Sequence, residues 1–278
     1  MEIGIGLPTC LPGTRPDAVL EWAVRADQGP YSSLAVLDRV LYDSFDSLTC
    51  LAAAAAVTSR VSLATTILVT PLRNEVLLAK QSATLHRLSG GRFVLGVGLG
   101  ARTDDYRATG TPYRTRGQRL SDQLLKMHEV WDDGRIGSSG WRPRLLVGGS
   151  GGLAMSRMAR YSNGYVHGGG PPRAFARGAA EARAAWEDFG RSGRPMLWGM
   201  AYFQLVGDRR LGNAYLRDYY AFTGAFADKI AAGLLTTGKQ LREFAAEYAA
   251  AGCDNLVLFP ASPDRDQLEA LAGEISGS

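Results

Sequence analysis

Side chains able to do acid–base, nucleophilic or metal chemistry are few in this chain of 278 residues, so their spacing narrows the chemistry. His86, His128 and His167 are its only histidines, and none sits in an H-E-x-x-H or similar arrangement, which argues against a metal site. Cys10, Cys50 and Cys253 are odd in number and lack C-x-x-C spacing, so they read as buried thiols of a reducing compartment. The string Gly148-Gly149-Ser150-Gly151-Gly152 fits G-x-S-x-G only with glycine at both variable positions, as part of a glycine run, and it reads as such a run rather than as a nucleophile elbow, so hydrolase chemistry is not favoured. Three glycine clusters are left, together with the pair Asp38-Arg39: Gly96 to Gly100, Gly148 to Gly152, and Gly168-Gly169-Gly170 after His167. Backbone N–H groups in such runs approach a ligand without a Cβ in the way, and ahead of a helix they favour phosphate. The first cluster is not G-x-G-x-x-G and ends a mid-chain strand, which argues against a classical NAD unit.

The elements that must carry these residues alternate. Short apolar, β-branched-rich runs occur at Ile3 to Leu7, Leu34 to Leu37, Val61 to Val69, Phe93 to Val97, Leu145 to Val147, Tyr165 to His167, Leu197 to Val206 and Leu256 to Phe259. Longer segments with helical periodicity separate them: Pro16 to Asp27, Asp46 to Thr58, Glu75 to Leu88, Arg114 to Asp132, Leu153 to Tyr161, Arg173 to Arg191, Gly212 to Ala250 in more than one piece, and Asp264 to Ile275. Continuous apolar strands joined by helical crossovers imply parallel strands buried on both faces, and this number of units predicts a closed (β/α)8 barrel, an α/β fold. An open doubly wound sheet is the alternative. Turns are expected at Pro12-Gly13, Ser89-Gly90-Gly91, Gly137 to Gly140 and Pro171-Pro172. No linker divides two compositions, so residues 1–278 read as one barrel domain. The run Ala52 to Ala56 predicts a helix that packs closely, inside the chain or at a subunit interface.

Hydrophobic residues make up 46% of the chain and charged ones 21%, the balance of a globular protein. A net charge of +4, with basic residues scattered rather than striped, gives no footprint for nucleic acid. The most apolar stretch, Leu48 to Val57, is too short for a membrane span. The N-terminus lacks the basic start and apolar core of a secretory signal, so a cytoplasmic location is expected.

In a barrel of this kind the working residues lie at the C-terminal ends of the strands. Strand ends here carry Asp38-Arg39, Thr65-Thr66 leading to Pro71, Gly98-Leu99, Gly148 to Gly152, and His167 to Gly170. At this point the chain resembles the luciferase-like, flavin-dependent oxidoreductase superfamily. The residues that carry the resemblance are Ile3 to Pro8, Ser33 to Asp38, Thr58 to Val61 leading into Thr65-Thr66-Ile67-Leu68-Val69, and Pro71-Leu72-Arg73-Asn74. The most specific run goes from Ala83-Thr84-Leu85 through Leu88-Ser89-Gly90-Gly91-Arg92-Phe93 to Gly98, followed by Asp105-Tyr106, Arg116-Gly117, Leu146 to Gly149 and Ala250 to Asp254. The resemblance fades across about 170–235.

The resemblance implies a barrel binding FMN or the deazaflavin F420 and acting on a small organic substrate, as a homodimer, with a separate flavin or F420 reductase as partner. It implies cofactor contacts from Thr65, Thr66, Ile67, Gly98, Leu99, Gly148, Gly149, Ser150, Gly168 and Gly169. It also implies a non-prolyl cis peptide at Thr66-Ile67 and an acidic group beside the ring at Asp38. Asp38, Arg39 and His167 are the catalytic candidates. Departures from the family pattern matter as much. Arg39 stands where several members have histidine, and Leu99-Gly100-Ala101 replaces a glutamate or arginine used after the fourth strand. Arg39 can hold an acidic substrate or stabilise an anion but cannot act as a general base. With no arginine evident for an FMN phosphate after the fourth strand, and an arginine-rich surface to suit an acidic cofactor tail, F420 is slightly favoured. Reduced F420 implies hydride transfer, and reduced FMN with oxygen implies monooxygenation. A short segment from Trp131 to Arg144 leaves the pocket open or covered by a lid from Asn213 to Leu235. Tyr202, Phe203, Tyr219 and Tyr220 are candidates for cavity wall or core. Gly149→Val is expected to block the phosphate with little loss of fold. Two other classes stay open: a non-catalytic flavin-binding barrel, and a phosphate-binding lyase, the latter disfavoured because Lys80, Lys126, Lys229 and Lys239 all fall in helices or loops.

Overall fold

The computed structural model describes residues 1–137 and 141–276. Positions 138–140 of the turn expected at Gly137 to Gly140 therefore lie outside the described residues. The strands are β1 (Glu2–Gly6), β2 (Ser33–Val36), β3 (Ser62–Thr65), β4 (Leu68–Val69), β5 (Phe93–Gly98), β6 (Arg144–Gly148), β7 (Gly164–Val166), β8 (Met196–Phe203) and β9 (Asn255–Pro260). Every pairing is parallel, and the order β3-β2-β1-β9-β8-β7-β6-β5-β4 closes on itself because β3 also pairs β5, with Leu63 opposite Phe93. The run predicted as one strand from Val61 to Val69 is thus two pieces of a single barrel strand, interrupted at Thr66-Ile67. The result is a closed (β/α)8 barrel, not an open sheet.

Around it run α1 (Pro16–Gln28), α2 (Ser47–Val57), α3 (Glu75–Leu88), α4 (Thr103–Ala108), α5 (Arg116–Asp132), α6 (Gly152–Tyr161), α7 (Pro172–Asp188), α8 (Arg209–Tyr219), α9 (Phe226–Ala232), α10 (Gly238–Ala250) and α11 (Asp266–Ser276). Their starts follow from local chemistry. Asp46 accepts the Thr49 amide at 2.8 Å, Asn74 accepts those of Val76 and Leu77 at 3.0 Å, and Thr237 accepts that of Gln240 at 3.2 Å, each satisfying an orphan helical N–H. Pro16 opens α1 at a position that needs no donor. The short α4 escaped the periodicity reading because six residues make less than two full turns.

Two apolar layers result from the period of two along each strand. Leu34, Val36, Leu63, Phe93, Leu95, Leu145 and Val147 face outward against helical residues such as Trp22, Leu51, Leu78, Leu124 and Met158. Ala35, Leu37, Ala64, Val94, Leu146, Val166, Trp198 and Phe259 fill the barrel interior. In α2, Ala54 and Ala55 are buried while Ala52, Ala53 and Ala56 are exposed, so two of the five alanines serve internal packing.

Candidate functional site

The C-terminal strand ends open into a cavity of about 710 Å³, within the range of small-molecule sites. Asp38, Arg39, Thr66, Ile67, Gly98, Leu99, Gly148, Gly149, Ser150 and Gly168 all line it; Thr65, His167 and Gly169 do not. The Thr66–Ile67 peptide is cis, at the position to which the resemblance pointed. A Cβ on Gly98 would come within 2.8 Å of Ile67 Cδ1 and one on Gly148 within 2.9 Å of Ile67 Cγ2. These two glycines seat the Ile67 side chain across the mouth. Thr65 is fully buried, its hydroxyl donating to the Gly96 carbonyl at 2.7 Å.

His167 stands behind the wall. The Tyr165 hydroxyl donates to the Gly149 carbonyl at 3.0 Å and lies 3.0 Å from His167 Nδ1, so the pair braces the glycine run from beneath. Burial pushes the His167 imidazole below its usual 6.5 against a weaker opposing pull from the Gly169 backbone, which favours its neutral form at pH 7.

One end of the cavity suits an anion. Gly148-Gly149-Ser150-Gly151 leads into the N-terminus of α6, where free backbone N–H groups and the helix dipole favour negative charge. Arg114, Arg116 and Arg157 line the same cavity. Arg157 is oriented by Ser121 Oγ at 2.8 Å and the Gly117 carbonyl at 2.9 Å. Arg116 stacks 3.7 Å over the Tyr113 ring, and its buried Nε has no hydrogen-bond partner among the described residues. No arginine is evident in the sequence as a partner for an FMN phosphate after the fourth barrel strand; in the structure Arg102, Arg114 and Arg116, all after β5, line the cavity. The spacing Arg114-Thr115-Arg116 at the start of α5 was the available signal, although helical periodicity in the sequence counts both arginines as part of a helix.

The end of β2 is built differently. Asp38 has a side chain only 1% exposed, and its carboxylate accepts from Arg73 Nη1 and Nη2 at 2.8 and 2.9 Å, Ser47 Oγ at 2.7 Å and the Val69 amide at 2.8 Å. Its oxygens are taken up in tying β2 to β4 and to the start of α2. Arg39 lies between Tyr42 and Tyr219, 4.0 and 5.0 Å from their ring centres, with Nη2 donating to the Leu41 carbonyl at 3.0 Å. Burial, and secondly the charge of Arg102, shift its pKa down, yet a guanidinium stays charged at any ordinary pH.

The segment expected as a lid supplies Tyr219, Tyr220 and Phe222 to the cavity wall. Tyr202 stands behind them with its hydroxyl 2.8 Å from that of Tyr220, while Phe203 packs in the outer core. Burial pushes the Tyr220 phenol up to about 12 and the Cys10 thiol up to about 12, so at neutral pH the phenol is a hydrogen-bond donor and the thiol is inert. Among the described residues no cluster of His, Cys, Asp and Glu could hold a metal ion, and no helix is long and apolar enough to cross a membrane.

A family model described as luciferase-like monooxygenase matches residues 1–251. Among curated proteins, an uncharacterized protein of Mycobacterium tuberculosis is 32% identical over 158 residues, 51% of this chain and 54% of that one. An F420-dependent glucose-6-phosphate dehydrogenase of Amycolatopsis mediterranei is 29% identical over 135 residues, 45% of this chain and 40% of that one. The aligned stretches thus span about half the length of these relatives or less. The fold is that of an F420-dependent secondary alcohol dehydrogenase in complex with an F420-acetone adduct, at a TM-score of 0.83, 17% identity and coverage of 99% and 98% of the two chains. It is shared with the FMN-bound oxygenating constituent of 3,6-diketocamphane monooxygenase from Pseudomonas putida, at 0.73, 15%, 98% and 95%. With a family model spanning nearly the whole barrel and the strand ends arranged around one cavity, the chain belongs to the luciferase-like monooxygenase family of oxidoreductases.

Proposed function

We propose that this chain holds reduced F420 in the cavity and catalyses hydride exchange with a small organic substrate, as a homodimer served by a separate F420 reductase. The observation that carries the proposal is the glycine run at the start of α6 with Arg114, Arg116 and Arg157 beside it, a cationic end suited to the phosphate and acidic tail of that cofactor. The site also fits a flat ring: Thr66 Oγ1 is buried at the cavity wall with no hydrogen-bond partner among the described residues, and a Cβ on Gly168 would meet nothing within 4 Å. The bound deazaflavin would supply the hydride chemistry. Ile67 and Leu99 offer apolar surface to hold it, and Met200 and Phe222 add apolar wall to the same cavity. Tyr220 offers a neutral phenol to a substrate oxygen. Asp38 is a positioning residue that holds the β2 and β4 ends together.

Reduced FMN with oxygen insertion is the second reading, favoured by the arginines after β5, which give a single phosphate the partners that the sequence alone did not reveal. Titration of the purified protein with F420 and with FMN, oxidised and reduced, followed by fluorescence, tests both. Selective F420 binding in the micromolar range, about −8 kcal/mol, is expected. Selective binding of reduced FMN would replace hydride transfer by monooxygenation, and binding of neither would leave a barrel without a redox role.

A further inference from the structure

We infer that Arg39 anchors a subsite for an anionic group of the substrate, so that the compound turned over is an organic acid carrying a carboxylate or a phosphate; this rests on the oxidoreductase reading above. Arg39 is 8% exposed, lines the cavity, and makes no ion pair among the described residues. Its acceptors are the Leu41 and Tyr219 carbonyls, and its buried Nε has no hydrogen-bond partner among the described residues. Asp105 and Asp104 act on this cation only at longer range, and a buried cation with no directly bonded anion is costly unless something supplies that partner. The neighbouring carboxylates are already engaged. Asp104 and Asp105 lie against Arg102, Asp105 Oδ1 also accepts the Val40 and Leu41 amides, and Asp38 is held by Arg73. Arg102 lines the same corner, and its Nη1 shares the Tyr219 carbonyl with Arg39 Nη1, each at 3.4 Å. Two guanidinium groups therefore converge on one neutral acceptor.

Position around the barrel separates this corner from the cofactor end. The joint β3–β4 strand and β5 stand between the end of β2, which carries Arg39, and the end of β6, which carries the glycine run. A cofactor phosphate at α6 leaves Arg39 without a direct ion pair, the charges of Asp105 and Asp104 reaching it only from beyond salt-bridge distance. The flanking Tyr42 and Tyr219 rings fix the plane of the guanidinium, which presents a fork matched to carboxylate or phosphate oxygens.

Calorimetric titration of the cofactor-loaded protein with benzoate, phenyl phosphate and benzyl alcohol tests the inference, with cofactor affinity measured separately for each variant. Wild type should bind one or both anions about tenfold or more tightly than the alcohol, the value of one charge-assisted contact, and the tighter anion identifies the group. Arg39→Met should erase that preference without changing cofactor affinity, and Arg39→Gln, which keeps a donor for the Leu41 carbonyl, should do the same if the methionine variant melts early. Anions bound no better than the alcohol, or a preference that survives both substitutions, would overturn the subsite. So would a parallel loss of cofactor affinity, which would give Arg39 to the cofactor tail. Wild type that prefers anions yet binds neither F420 nor FMN would instead remove the redox reading and leave the subsite standing.

Discussion

Arg73 donates both terminal nitrogens to the Asp38 carboxylate in a setting where the acid is 1% and the base 19% exposed. Cutting such a pair leaves a buried charge uncompensated, so Arg73→Met should lose about 3 kcal/mol in denaturant melts, and the double change with Asp38→Asn should recover part of it. If the single variant is as stable as wild type, the pair does not hold β2 to β4. The glycines call for a distinction that residue type alone could not make. Gly149 has φ of +135°, so the expectation that Gly149→Val would spare the fold is corrected: a side chain there is strained before any ligand arrives. Gly168 is the cleaner probe, because its added atoms would enter open cavity. Gly168→Leu should weaken cofactor binding by about tenfold or more while the melting temperature holds. Undiminished affinity would move the cofactor away from the end of β7.

At the scale of elements, the segments that carried the resemblance turn out to be joints of the barrel floor as often as parts of its mouth. Asp27 at the end of α1 accepts the amides of Ser59, Arg60 and Val61, each at 2.9 Å, just ahead of β3. Arg60 in turn donates to the Asp27, Gly29 and Tyr31 carbonyls, and Arg92 ties Ser89 to Thr58 and Val61. Burial opposes ionisation of Asp27, but the three amides outweigh it and bring its carboxyl down to about 2. Asp27→Ala should cost about 1–3 kcal/mol in urea unfolding and leave cofactor titration unaltered. A loss of cofactor affinity in that variant would contradict a purely structural role.

Across the whole molecule the histidines act together. Burial pushes His86, His128 and His167 below 6.5 in the folded chain. The unfolded chain therefore binds protons that the native one refuses, so the stability they contribute is present above about pH 6.5 and is lost as pH falls through their native values. Thermal midpoints should drop between pH 7.5 and 5.5, and substitution of the three by glutamine should flatten that part of the profile. A profile unchanged by the substitutions would assign the acid loss to carboxylates instead.

Strand and helix periods and glycine runs made the barrel legible, because those signals are local: Asp46 caps α2 whatever lies far away, while wall residues such as Ile67 were pointed to by the family resemblance. The chemistry of each wall residue was not local. That Asp38 is saturated depends on Arg73 and Ser47, brought to it by barrel closure; that His167 braces Gly149 rather than facing the cavity depends on Tyr165. Arg102, Arg114 and Arg116 became visible only once the long connection after β5 had folded over the mouth. Residue type announces what a group is able to do, but the charges and acceptors packed around it, most of them distant in the chain, decide which of those abilities is left free.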